Sequence, residues 1–224
     1  MSETTALALR ASQVWVRRTL LCSDVVGYTG LLARLGDRRA LHVVRRHDAI
    51  VRGCAAAHGG DVLELRGDSF LVAFTRRTDA LACAVDIQRQ LAHDRAYEPD
   101  GGVHIRIGVH TGEFLVERGR YFGLEVVVPF RLCDAAGADQ ILASGAENER
   151  PEANATDCAA AEADTAPGSG PDHATVPVPI VSERVLTLDG IPRLVTAAEL
   201  DWRTAPAVPA SGVAPTPQLA VAGR

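Results

Sequence analysis

The chain has 224 residues, 47% hydrophobic, 23% charged and 4% aromatic, with a formal net charge of −5. That length supports one substantial core, and the apolar fraction excludes wholesale disorder. No apolar run reaches the ~18 residues of a transmembrane helix, no early stretch is long enough for a signal-peptide core, and the acidic balance excludes a nucleic-acid scaffold.

Met1–Gln13 is polar and has no usable period, so 1–17 is expected as an N-terminal extension. Val16–Ser23 predicts a strand running into Asp24, and Thr29–Leu35 a short helix. Asp37 is placed to cap a longer helix that gathers Val43, Val44, Ile50, Val51, Cys54 and Ala55 on one face, with Gly59-Gly60 at its end. Asp61–Leu65 and Ser69–Phe74 predict two strands around the tight turn Arg66-Gly67-Asp68. Thr78–His93 has helical spacing. His104–Val109 and Glu113–Glu117 predict a second hairpin, turning at His110-Thr111-Gly112. Val126–Ala136 predicts a helix, with Pro129 tolerated in its first turn. Gln140–Ser144 predicts a strand. Gly145–Pro179 lacks large apolar residues and is expected as a disordered insertion. Arg184–Leu188 and Arg193–Leu200 predict a last hairpin, and 203–224 a disordered tail. The order β-α-α-β-β-α-β-β-α-β-β-β implies one α/β domain over 18–202, a sheet with helices packed on it.

Five cysteines (Cys22, Cys54, Cys83, Cys133, Cys158) show no CxxC spacing and are expected reduced and mostly buried, in a cytoplasmic protein. His42 and His47 are expected at the surface, His104 and His110 near strand ends, and Trp15 and Trp202 in packing roles.

Asp24 and Asp68 each sit where an apolar strand ends. If those strands are neighbours, both carboxylates project from one sheet edge. Hard cations such as Mg²⁺ take a few carboxylate oxygens and complete their shell with substrate phosphates. Two such ions activate a hydroxyl and stabilise a leaving pyrophosphate. Gly-Asp is also ordinary hairpin chemistry, so spacing alone does not decide between a metal site and a turn.

Six stretches, in order, resemble the class III nucleotidyl cyclase family, the adenylyl and guanylyl cyclases. Ser23-Asp24-Val25-Val26-Gly27-Tyr28-Thr29 is similar to the first metal motif, and His58 to Asp68 to the second. Ile107 to Glu113 is similar to a third stretch, and Tyr121-Phe122-Gly123 through Arg131-Leu132 to a fourth. Gln140–Ser144 and Leu188-Asp189-Gly190-Ile191 resemble the closing strands. Gly59-Gly60-Asp61 alone suggests a diguanylate cyclase, but its acidic-aromatic continuation is missing.

The resemblance implies a ferredoxin-like core and a head-to-tail homodimer. It implies conversion of a nucleoside triphosphate to a 3′,5′-cyclic nucleotide and pyrophosphate with two Mg²⁺ or Mn²⁺ ions. It assigns Asp24, Asp68 and the Val25 carbonyl as metal ligands, and Arg131 of the opposite protomer as the transition-state arginine. A guanidinium suits charge developing on phosphoryl oxygens.

Three base- and ribose-reading positions depart from the family pattern. Glu64 stands where adenylyl cyclases carry Lys, Arg120 where they carry Asp or Thr, and Val127 where they carry a ribose-ordering Asn. All 23 basic residues are Arg, so no shift of register recovers an adenine-reading Lys. Glu64 would repel the N1 lone pair of adenine but accept from a ring N–H, while Arg120 would donate to O6 or O4. These two residues point to GTP or UTP rather than ATP, and CTP is added as a candidate substrate only by a resemblance to pyrimidine cyclases. Alternatively Glu64 and Arg120 pair with each other and close the pocket. The altered readers also resemble the small pyrimidine cyclases of bacterial antiphage signalling, whose product acts on a downstream effector. Two other readings stay open: a catalytically degenerate cyclase-homology module that binds nucleotide or a partner, and one half of a heterodimer. No nucleic-acid or membrane partner is expected.

Overall fold

A computed structural model describes residues 13–97, 102–145 and 178–206 of the chain, without the side chains of 64–66. Strand β1 (Gln13–Val25) leads into helices α1 (Tyr28–Leu35) and α2 (Asp37–Ala57). Strands β2 (Asp61–Arg66) and β3 (Ser69–Phe74) form a hairpin followed by α3 (Arg77–Tyr97). Then come β4 (Ile105–Glu117), β5 (Arg120–Phe122), a 3-10 turn (Leu124–Val126), α4 (Val128–Ala135) and β6 (Ile141–Ser144). Strands β7 (Ile180–Thr187) and β8 (Leu194–Leu200) close the described chain.

The sheet runs β2-β3-β1-β4-β6-β8-β7, with β5 paired to β4. Only the β4–β6 pair is parallel; the rest are antiparallel. This is the single α/β sheet with helices packed on it that the sequence predicts, and it is mainly antiparallel.

Alternation along each strand divides the core between the two faces of the sheet. Leu21 and Val25 of β1, Phe70 and Val72 of β3, and Ile105 and Ile107 of β4 pack against α2 and α3. Leu20, Cys22, Leu71 and Phe114 point to the other face, against Cys133 of α4. A fully buried side chain such as Phe70 contributes about 1.5–3 kcal/mol relative to exposure. Helix α4 lies so close to β4 that a Cβ on Gly108 would stand 2.2 Å from the Pro129 carbonyl. Glycine there is what lets α4 approach the central strands.

Several expectations are corrected. His110-Thr111-Gly112 is not a turn: β4 is continuous and pairs with β1 from Glu117↔Gln13 to Ile105↔Val25. Thr111 lies opposite Thr19, and their hydroxyls are 2.9 Å apart. That buried contact suits a strand interior and not a loop. The chain reverses instead at Arg118 and Gly119, both with positive φ, to enter β5. His110 is therefore mid-strand and buried.

Residues 13–17 of the expected N-terminal extension belong to β1. His47 is buried, because 43, 47, 51 and 54 share one face of α2. Asp37 does not cap α2: Gly36 takes that position and Asp37 lies in the first turn. Trp15 is 69% exposed rather than packed, whereas Trp202 is buried and donates its indole N–H to the Asp139 carbonyl at 2.7 Å. Ala205 is also buried, so the expected tail begins beyond the packed turn after β8. Most of the expected insertion, 146–177, and of the tail, 207–224, lies outside the described residues, as does Cys158. The other four cysteines are free and buried.

Candidate active site

The antiparallel register of β1 and β3, with Ser23 opposite Phe70, brings the end of β1 beside the β2–β3 turn. Asp24 and Asp68 therefore share one end of the sheet, as their strand-end positions predict. Asp24 Oδ1 accepts the Ser69 hydroxyl at 2.6 Å. Its Oδ2 accepts Nε and Nη2 of Arg106 at 3.0 and 2.7 Å. Burial pushes the Asp68 carboxyl above its ordinary pKa, and the Asp24 charge pushes it further. The Asp68 backbone N–H and that of Val25 act in the opposite direction.

Arg106 was not singled out by sequence reasoning. Its signal is a charged residue at an inward position of the apolar strand Ile105–Val109, in register with Asp24. Burial opposes its charge, but the Asp24 carboxylate outweighs this and raises its pKa. Arg106 also reaches Asp134 of α4, donating to its carbonyl at 3.1 Å and pairing with Oδ1 at 3.3 Å. The second oxygen of Asp134 lies 3.5 Å from Nη1 of Arg131. A ladder of alternating charge thus runs from Asp24 through Arg106 and Asp134 to Arg131.

Arg131 donates through Nε to the Asp189 carbonyl at 3.0 Å, and its Nη2 lies 3.3 Å from the Asp189 carboxylate. Arg131, Arg120 and Val127 line one open cleft of about 580 Å³. Its other walls include Leu63, Leu71, Tyr121, Val126 and Phe130, and polar and apolar surface line it about equally. The Arg120 guanidinium lies over the Phe122 ring, 5.6 Å from its centroid. Glu64 is placed by register opposite Leu71, a wall of this cleft, and its side chain lies outside the described residues. The structure therefore gathers Arg120, Val127 and Arg131, sets Glu64 on the strand beside them, and keeps Asp24 and Asp68 at the strand ends.

Two features of the carboxylate end fit a hard divalent cation. The donors are carboxylate oxygens, and the two like charges are close enough for one to disfavour ionisation of the other. Among the described residues no cluster of three or more His, Cys, Asp or Glu accompanies them. Mg²⁺ needs only one or two carboxylates when phosphates and water complete its shell. No helix among the described residues is long and apolar enough to cross a membrane.

No family model matches the chain. An uncharacterized protein of Mycobacterium tuberculosis is 35% identical over 133 residues, 58% of this chain and 44% of that protein. Putative adenylate cyclase 3 of Rhizobium meliloti is 32% identical over 123 residues, 52% of this chain and 21% of that protein. The chain thus spans less than half the length of these curated relatives. The crystal structure of the guanylyl cyclase Cya2 superimposes with a TM-score of 0.62 at 20% identity, covering 84% of this chain and 93% of that one. The chain has the fold of the adenylyl and guanylyl cyclase catalytic domain.

Proposed function

We propose that this chain is a class III nucleotidyl cyclase domain that turns a nucleoside triphosphate into a 3′,5′-cyclic nucleotide and pyrophosphate. The observation that carries this reading is the convergence of Asp24 and Asp68 at one strand end, with Arg106 against them. In the reaction the ribose 3′-oxygen attacks the α-phosphorus, the bond from the α-phosphorus to the bridging oxygen breaks so that pyrophosphate leaves, and the hydroxyl proton passes to water.

Asp24 and Asp68, with the Val25 carbonyl, would hold two Mg²⁺ or Mn²⁺ ions, which supply Lewis-acid activation of the hydroxyl and charge stabilisation of the leaving group. Arg106, which pairs with Asp24, would also reach toward the triphosphate bound there. Helix α1 begins at Tyr28, shortly after Asp24, and has no side-chain cap, so its first backbone N–H groups would be available to the same phosphates. Arg131 of a second copy, arranged head to tail, donates to the α-phosphoryl oxygens. Its surface pairing with Asp189, which is 91% exposed, is worth about 0–1 kcal/mol and does not hinder release.

Glu64 and Arg120 would read a base with a ring N–H and a neighbouring carbonyl, which favours UTP or GTP over ATP; CTP rests only on the resemblance to the pyrimidine cyclases. The product would act on a cyclic-nucleotide effector, in the pattern of the antiphage pyrimidine cyclases. Val127, an apolar cleft residue at the ribose-ordering position, favours a second reading: a degenerate module that binds nucleotide or a partner without turning it over. A heterodimer whose other chain supplies the base-reading site is compatible with the same feature.

The test is the full chain with Mn²⁺ and each of ATP, GTP, CTP and UTP, products resolved by chromatography, with Asp68→Asn as control. A cyclic product from a base other than adenine, absent in the control, is expected. Preference for ATP overturns the reading of Glu64 and Arg120. No product from any nucleotide moves the assignment to the module or the heterodimer.

A further inference from the structure

A second polar cluster lies behind the cleft rather than in it. His110, in the middle of β4, is 1% exposed. Its Nε2 is 2.6 Å from Glu125 Oε2, and its Nδ1 is 2.8 Å from the Ser144 hydroxyl at the end of β6. Glu125 also accepts Nη2 of Arg193, from just before β8, at 3.0 and 2.9 Å through its two oxygens. Arg77, in the first turn of α3, donates to the Ser144 carbonyl at 2.6 Å and to the Thr111 hydroxyl at 3.1 Å. One hydrogen-bonded chain thus joins α3, β4, β6, the approach to β8 and the turn that enters α4.

Gly112 belongs to this arrangement. A Cβ there would stand 2.9 Å from His110 Nε2 and 3.2 Å from Glu125 Oε2. The glycine of His110-Thr111-Gly112 leaves space for the imidazole–carboxylate contact and does not make a turn.

Besides the Glu125 bonds, the 3-10 turn Leu124–Val126 is held by partial packing: Val126 lies against the cluster around Phe114 and Cys133, and the adjoining Val127 against that around Val128 and Leu132. None of its residues is buried, and no side chain caps it or the start of α4. Its backbone bonds are those of a single short turn, Val126 N–H to Gly123 at 3.3 Å and Val127 N–H to Leu124 at 3.0 Å. Yet Val126 and Val127 form the cleft wall, and Phe130 and Arg131 follow within one turn of helix. A charge-assisted bond to a buried imidazole is the strong contact available to fix such a segment.

We propose that Glu125 is a positioning residue: its bonds to His110 and Arg193 hold the turn that places Val127 and Arg131, so that losing them loosens the cleft and leaves the carboxylate end intact. The catalytic part of this inference rests on the cyclase reading. Burial lowers the His110 pKa despite the neighbouring Glu125, and the Arg193 and Arg77 charges lower it further. The ring is therefore neutral at neutral pH, donating through Nε2 and accepting from Ser144 through Nδ1. Burial raises the Glu125 pKa, but the bonds from Arg193 and His110 outweigh it and keep the carboxylate ionised.

The test compares Glu125→Ala and Glu125→Gln with wild type, at a temperature where all three are folded. Amide hydrogen exchange at Val126 and Val127 is expected to rise in Glu125→Ala and to stay near wild type in Glu125→Gln, which keeps an acceptor oxygen. Exchange in β1 and β3 should not change. Unchanged exchange at Val126 and Val127 overturns the proposal, whether or not the protein turns over nucleotide. With Mn²⁺ and whichever of the four nucleotides is converted, Glu125→Ala is expected to lower kcat by about ten- to a hundredfold, because misplacement near 1 Å costs that much. KM should move less than about twofold, since phosphate and metal contacts are made elsewhere, and Glu125→Gln should restore most of kcat. An unchanged kcat in folded Glu125→Ala also overturns it. A wild type inactive on every nucleotide sinks the cyclase reading alone, and hydrogen exchange then decides the positioning role.

Discussion

The carboxylate end and the cleft lie on neighbouring parts of one sheet face, but they hold their charges differently. At the carboxylate end, Asp24 has partners for both oxygens from residues set by strand register. In the cleft, Arg131 is turned to Asp189 at the rim, Arg120 lies on an aromatic ring, and Val126 and Val127 line the wall with them. The first region is pre-assembled, with Arg106 already set against Asp24. The second is a shape that another surface, ligand or second copy must complete. That difference suits a site shared between two chains, each giving one half.

The sharpest way to break this comparison is to remove the carboxylate end. Asp68→Asn is expected to lower turnover by about 10³-fold or more, the loss of several kcal/mol of charge stabilisation, measured as cyclic product with Mn²⁺. Retained turnover would mean that the two aspartates are only strand-end chemistry. Next, Arg131→Ala is expected to lower kcat by about 10²–10³-fold with little change in KM. If Arg131 and Asp68 belong to different protomers, mixing the two inactive variants restores part of the activity. No recovery on mixing, with each variant dimeric, would separate the cleft from the carboxylate end.

Arg106→Ala should act mainly on KM for the triphosphate, by about ten- to a hundredfold, the scale of a lost charged hydrogen bond. A pure kcat effect would instead place Arg106 at the reacting phosphorus.

Two smaller effects are read in stability. The His110 pKa is lowered in the fold, so the unfolded chain takes up the proton first as pH falls below about 6.5. The melting temperature should therefore drop between neutral pH and the lower, folded pKa of His110, and His110→Asn should flatten that drop. Asp68 has a raised pKa in the fold, so it favours folding when protonated and disfavours it once pH rises through the folded value. Metal-free Asp68→Asn should thus melt above wild type at neutral pH, and added Mg²⁺ should raise wild type more than the variant.

Much of the fold was legible because strands and helices report themselves within a few residues. The periods of Ser69–Phe74 and Thr78–His93 match β3 and α3 closely. Asp24 and Asp68 were legible for the same reason, as polar residues ending apolar runs. The misreadings came where local chemistry resembles something else. His110-Thr111-Gly112 has turn-like residues, but each has a cross-strand partner in β1, and pairing across the whole strand outweighs local turn preference. His47 carries a polar ring at a core position of α2, which no polarity rule anticipates.

Local sequence therefore determined the elements, the ends of the strands and the residue types delivered there. Tertiary structure alone decided the contacts between them. Arg106 meets Asp24 across 82 residues, and Arg193 meets Glu125 across 68. Partners so distant leave no periodic trace, because register and helix docking bring them together only once the whole sheet has formed.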